Sequence, residues 1–200
     1  MSQVNAQEGT DTLVTFTWNS QHLPMTITDA AGGVTTFAYN ARGQVTSATN
    51  ALGETATYTY DAQGHLLTAD GPLPGTGDQS TLTYDAIGRV NTVTNGEGYM
   101  VDVDYDALDR VTKVTYPDGT FEETTYTHLD PTQTRDRSGK VTTLAYDAGQ
   151  QLISVTDPLN RVIKLDWCEC GALRHMIDPL GRVTTWDEDI QGRPISKTYP

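Results

Sequence analysis

The 200-residue chain lacks any apolar run long enough to span a bilayer as a helix, so no membrane insertion is expected. An ordinary secretory signal is missing too, because Met1 to Thr10 are polar and no basic stretch leads into an apolar one. Cysteine is scarce, and Cys168 and Cys170 alone cannot build a disulfide scaffold. Positive charge is also short. Thirteen Lys and Arg against 26 Asp and Glu leave a formal charge of −13, which argues against nucleic acid or an anionic membrane surface as partner. That acidity serves solubility and turn formation. The chain has no glycine-rich phosphate loop, zinc-protease helix or nucleophile elbow, and its serines have no positioned base. Its histidines, His22, His65, His128 and His175, do not fall into one row. We therefore expect no catalytic residue, metal or cofactor.

What the chain has is repetition. Taking an aromatic as the zero position, copies recur at Trp18, Tyr39, Tyr60, Tyr84, Tyr105, Tyr126, Tyr146 and Trp167, and a ninth puts Glu188 in register. The steps are 21, 21, 24, 21, 21, 20, 21 and 21 residues, a strong repeat signal. A bulky residue usually stands two before the aromatic, as in Phe16/Trp18, Phe37/Tyr39, Tyr58/Tyr60, Leu144/Tyr146 and Leu165/Trp167. A separation of two puts both on one face of a strand. With abundant Thr and Val and no competing helical period, the pattern predicts a strand ending at each aromatic.

A turn follows each strand. In Asp61-Ala62-Gln63-Gly64 and Asp85-Ala86-Ile87-Gly88 the Asp accepts free backbone donors and Gly takes a left-handed conformation. Asp109 and Asp130 occupy the glycine position in two copies, and Asp147-Ala148-Gly149-Gln150 predicts a locally altered turn. The return strand has its strongest apolar residues three apart, as in Val90/Val93 and Val111/Val114. Simple alternation cannot place both on one face, so either a bulge or burial on both faces is required. A second turn closes the unit, as in Asp157-Pro158-Leu159-Asn160 and Asp178-Pro179-Leu180-Gly181. There proline sets the first central position and Asn160 or Gly181 relieves the last. The Gly/Pro-rich stretch 70–78 reads as an enlarged loop at one rim, not a linker. The expected organisation is a polar extension over 1–11 and nine repeats over 12–200, without a domain boundary. The expected fold is all-β: a curved antiparallel sheet of β-hairpin repeats.

Three groups of residues invite chemistry. The zero-position aromatics suit a structural ladder or a ligand-stacking platform, since successive copies would lie roughly 10 Å apart. Asp61, Asp85, Asp106, Asp147 and Asp189 suit turn capping. Cation binding is a second reading, and paired acid catalysis a third, at a separation near or beyond that used by glycosidases. Cys168 and Cys170 share one face of a regular strand, with α-carbons about 6.5 Å apart, at the long edge of disulfide geometry. A turn beginning at Cys168 would bring them closer. Turn-packed free thiols, a redox or interchain disulfide, and a metal site using His175 are the three readings, and no fourth ligand is indicated.

The recurring Tyr-Asp-Ala-x-Gly-Arg-Val-Thr pattern, followed by Val-Thr-Asp-Pro-x-Gly, resembles the Rhs or YD repeats over roughly residues 12 to 199. Glu188 and the copies at Tyr126 and Tyr146 depart from it. The resemblance implies a segment of a β-strand shell that spirals around and sequesters the toxin domain of a bacterial polymorphic toxin. It implies as partners the rest of that shell and the enclosed toxin polypeptide. It also implies cytoplasmic synthesis followed by delivery through a specialised secretion system. Such shells commonly end in an Asp-Pro-containing self-cleavage segment. Asp178-Pro179 looks superficially like it but is an ordinary second turn with another unit behind it, so no autoprotease is expected. The alternative is an adhesion or carbohydrate-binding surface made of the same repeats. About eighteen strands at about 4.8 Å spacing give about 85 Å of sheet, whereas a wall around a domain about 30 Å across needs about 130 Å. A segment of that size is expected to recruit neighbouring repeats, or a second copy of itself, through its strand edges.

Overall fold

A computed structural model describes residues 13–189, 191 and 193–200. The extension assigned to 1–11 lies outside the described residues. Contacts divide the chain into two compact units, Met1–Val101 and Asp102–Pro200. The first contains β1 (Val14–Trp18), β2 (Pro24–Asp29), β3 (Val34–Tyr39), β4 (Val45–Thr49), β5 (Thr55–Tyr60), β6 (Leu66–Asp70), β7 (Ser80–Tyr84) and β8 (Val90–Asn95). Strand β9 (Met100–Tyr105) spans the division. The second unit continues with β10 (Val111–Thr115), β11 (Phe121–Thr127), β12 (Asp130–Arg135), β13 (Val141–Tyr146) and β14 (Leu152–Thr156). It ends with β15 (Val162–Trp167), β16 (Leu173–Ile177), β17 (Val183–Glu188) and β18 (Pro194–Thr198). Within each unit neighbours in sequence pair antiparallel, as short turns dictate. The architecture is the expected all-β hairpin repeat.

The three-residue apolar spacing of the return strands is resolved by bulges. Ala38 faces Ser47 but Tyr39 faces Val45, leaving Thr46 as an extra residue. The same shift occurs at Trp18, Tyr60, Tyr84, Tyr126, Tyr146, Trp167 and Glu188, and opposite Tyr105. Tyr84 therefore pairs with Val90 and Leu82 with Val93. Since Leu82 and Tyr84 share a face, Val90 and Val93 share it too. One face of each hairpin thus gathers the aromatic and apolar residues. The other is rich in threonine, with direct hydroxyl pairs at Thr17–Thr26, Thr59–Thr68 and Thr83–Thr92, each 2.6 Å apart.

The turns mostly share one geometry. Asp85 N donates to Arg89 O at 2.9 Å and Gly88 N donates to Asp85 O at 3.1 Å. Gly88 has φ +89°. This is the three-residue hairpin loop with a left-handed third residue. Glycine is needed here twice over, because a Cβ on Gly88 would stand 2.9 Å from His65 Nε2.

Two turn assignments need correction. Asp109 does take the left-handed position, at φ 62°, but Asp130 does not; it opens β12, and His128 carries the positive φ of 55°. Thr127 and Asp130 are register partners, so this hairpin turns through two residues instead of three. The missing residue accounts for the 20-residue step from Tyr126 to Tyr146. The turn after Tyr146 is not altered. Asp147 N donates to Gln151 O at 3.0 Å and Gln150 N to Asp147 O at 3.1 Å, as elsewhere. Gln150, not Gly149, stands at φ 64° and accepts a strain of about 1 kcal/mol relative to glycine.

Among the described residues no apolar side chain is fully buried, and Thr184 alone falls in the buried class. Aromatic-face residues such as Tyr58 and Tyr60 are half-buried, while Thr57 and Thr59, which alternate with them, are exposed. Each unit is sheet without a second layer, although two packed layers around a core are the usual solution for a domain.

Candidate functional site

The densest side-chain chemistry lies along the hairpin ends, where consecutive repeats interlock. Tyr39 Oη donates to Pro24 O at 2.7 Å, Tyr60 Oη to Val45 O at 2.8 Å and Tyr84 Oη to Leu66 O at 2.8 Å. Trp167 uses its indole Nε1 in the same way, toward Leu152 O at 2.7 Å. Each acceptor is the residue that faces the preceding aromatic across its own hairpin. A zero-position ring therefore lies over the previous repeat and satisfies a backbone carbonyl there. Tyr126 repeats the reach toward Val111 O at a longer 3.5 Å. Burial raises the phenol pKa of Tyr146, and the Asp130 carboxylate adds to the effect. Tyr105 ends β9 opposite Val111.

The residues after the aromatics act on the turn backbone. Asp106 Oδ1 accepts from Leu108 N at 2.8 Å and Arg110 N at 3.1 Å, while Oδ2 accepts from Arg110 Nε at 2.8 Å. Asp85 does the same with Ile87 and Arg89. The second turns repeat the clamp at Asp157–Arg161 and Asp178–Arg182, with Pro158 and Pro179 at their first central positions. Asp61 clamps Gly64 N at 2.7 Å and uses His65 in place of arginine. Asp147 caps Gly149 N and Gln151 N, and Gly181 N closes its turn onto Asp178 O at 2.9 Å. The arginine hydrogen bond holds Asp106 below the usual carboxylate range. Backbone N–H groups of Arg161, Arg182 and Arg193, reinforced by their side chains, do so for Asp157, Asp178 and Asp189. At Asp61 and Asp85 desolvation pushes upward and is outweighed by the bonds to His65 and Arg89.

Charge is not what the turn requires. Asn19, Asn40 and Asn95 make the same two Oδ1 contacts with a neutral amide. Among the described residues no three His, Cys, Asp or Glu side chains are grouped to hold a metal. In the enlarged loop, Asp70 and Asp78 each enclose one oxygen without a donor.

The sequence reading missed the residue five after the aromatic. Gln44 Nε2 donates to Gly64 O in the next turn at 2.7 Å, and Arg110 Nη1 donates to His128 O at 2.9 Å. Arg110 also lies 3.9 Å from the Tyr126 ring centroid, and the His65 ring stacks on Tyr84 at 4.6 Å. The signal was present as a recurring Gln, His or Arg at that offset, but its partner lies one repeat away.

The cysteines depart from strand geometry. A turn starts at Cys168, with Cys168 N donating to Ala172 O at 2.9 Å, and it draws the two α-carbons to 5.1 Å. Cys168 and Cys170 are joined as a disulfide, which replaces the reading of free thiols and removes the metal reading.

Paired turns, a bulge in each hairpin and aromatics bonded to the preceding repeat define a β-hairpin repeat protein whose repeats lock side by side. The chain belongs to the Rhs/YD-repeat family: the Teneurin YD-shell profile matches residues 75–200, and the RHS Repeat profile matches 18–55 and 39–76. No curated protein sequence matches it. Among solved structures it is similar to a TcdB2-TccC3 complex without its hypervariable C-terminal region. There the TM-score is 0.70 at 14% identity, over 93% of this chain and 11% of that one. It is also similar to the Tc holotoxin pore of Photorhabdus luminescens, with a TM-score of 0.57 at 14% identity, over 93% of this chain and 13% of the other. The chain thus spans little more than a tenth of either.

Proposed function

We propose that the chain is a non-enzymatic wall segment of a shell that encloses a toxin polypeptide and helps deliver it. The observation that carries this reading is sheet without a core, in which hairpins bond to their neighbours through rings, as Tyr60 does to Val45 O, and through turn side chains, as Gln44 does to Gly64 O. Such a sheet gains its stability from lateral repetition and offers two large faces, which suits a partition better than a catalyst. The family membership and the likeness to Tc complexes support it. On this reading 12–200 is nine structural repeats, and Trp18, Tyr39, Tyr60, Tyr84, Tyr105, Tyr126, Tyr146 and Trp167 form a structural ladder. The Asp, Gly and Pro residues of the turns set hairpin geometry. The partners are further shell repeats, the enclosed polypeptide and, through strand edges, a second copy. Synthesis is cytoplasmic and release is through a specialised secretion system.

Thr57 and Tyr58 provide a test, because adjacent strand residues face opposite sides of β5. A photoreactive phenylalanine analogue is placed at either position in the parent protein. One position is expected to capture the enclosed polypeptide and the other none. Capture at both, or at neither, contradicts a partition.

A further inference from the structure

Cys168 stands where sister turns place Asp. Its Sγ accepts from Cys170 N at 3.1 Å and Ala172 N at 3.3 Å. These are the same relative donors that Asp178 Oδ1 takes from Leu180 N and Arg182 N at 2.9 Å each. Gly171 completes the turn at φ 89°, with its N–H on Cys168 O at 3.0 Å. Since the sister turns close identically without sulfur, the disulfide is not needed to form this one. The two sulfurs also differ in setting: Cys168 is half-buried in a slot that elsewhere holds a carboxylate, and Cys170 is exposed at the tip.

We propose that Cys168 and Cys170 form a redox-active site that exchanges with dithiols, attacked at Cys170 and releasing Cys168 as the leaving thiolate. An external thiolate attacks Cys170 Sγ, the disulfide bond breaks, and its electron pair passes to Cys168 Sγ. The new thiolate is received by the N–H groups of Cys170 and Ala172. The second thiol of the dithiol then displaces Cys170, which takes up a proton. The dithiol is oxidised by two electrons to its own disulfide, and both cysteines are reduced.

The polarity follows from the slot. Exchange is faster when the leaving thiol has the lower pKa, and donors aimed at sulfur lower it. Arg174 and His175 of β16 and Asp187 and Asp189 at the end of β17 line the same depression, and Glu169 lies within the turn. His175 is paired with Asp166 at 2.8 Å, Asp189 with Arg193 at 2.6 Å, and Asp187 accepts from Ser196 at 2.6 Å. The N–H groups on Cys168 Sγ and the exposure of Cys170 at the tip together set the direction of attack.

The test treats the oxidised full chain with glutathione, quenches by alkylation and maps the adduct by mass spectrometry. Glutathione is expected on Cys170 at least tenfold over Cys168, and dithiothreitol is expected to reduce both without loss of the far-ultraviolet strand signal. In single-cysteine variants, Cys168 in C170S should alkylate with a pH midpoint at least one unit below that of Cys170 in C168S. Glutathione spread evenly or placed mainly on Cys168, equal midpoints, or reduction only on unfolding each overturn the proposal. The adduct map uses the native sequence, so it decides even if a variant fails to fold.

Discussion

Replacing Tyr60 by alanine is expected to lower the stability of the full chain by roughly 2–3 kcal/mol, against about 1 kcal/mol for Tyr60→Phe. Phenylalanine keeps the half-buried ring and deletes only the hydroxyl that donates to Val45 O at 2.8 Å. Alanine removes as well the ring that lies over the preceding hairpin, and no second layer is available to fill the space. Leu180→Ala is the control. Leu180 is 78% exposed at the tip of a second turn, so its truncation should change little. Urea denaturation of the three variants checks the order. If Tyr60→Ala behaves like Leu180→Ala, the rings do not join the repeats.

The second large effect is acid sensitivity. Asp61, Asp85, Asp106, Asp118, Asp136, Asp157, Asp178 and Asp189 all titrate below the ordinary carboxylate value in the folded chain. A folded pKa below the unfolded one means that the unfolded chain binds more protons, so stability rises with pH in that range. The contribution is fully present above the unfolded value of about 3.9 and is lost as pH falls through the depressed folded values. The urea midpoint should therefore hold steady at neutral pH and fall steeply below about pH 4. Salt near 1 M should weaken the exposed arginine part of the Asp157, Asp178 and Asp189 clamps and spare the backbone N–H part. Asp106→Asn, which mimics the cap at Asn40, should flatten its share of the acid step while keeping the turn. A midpoint that rises on acidification would mean that relief of the −13 charge outweighs the clamps.

The strands, the turn chemistry of Asp61 to Gly64 and the shared face of Tyr58 and Tyr60 follow from local rules of period and conformation. The choice between a bulge and two-face burial was not local, because Val90 and Val93 acquire a common face only through their pairing with Tyr84 and Leu82. Glycine type was a fair guide to left-handed positions until turn length changed. One residue fewer after Tyr126 moved the positive φ from Asp130 to His128. Gln150 shows the reverse case, in which the closing bonds of the hairpin impose the conformation on a residue that does not favour it. For Cys168 the sequence left a strand and a turn both open, and its register is that of a turn cap. The reach of Arg110 to His128 O crosses a whole repeat, and no pattern within one repeat contains it.

The central claim is that these repeats form part of a wall, and protease protection in the parent protein tests it most directly. A reporter polypeptide in the enclosed position is exposed to trypsin while the shell is intact, and its half-life is compared with that in a parent carrying Tyr39→Ala, Tyr60→Ala and Tyr84→Ala together. The account predicts long protection in the first and rapid cleavage in the second, with the outer shell fragments still present. Equal cleavage of the reporter in both would contradict it.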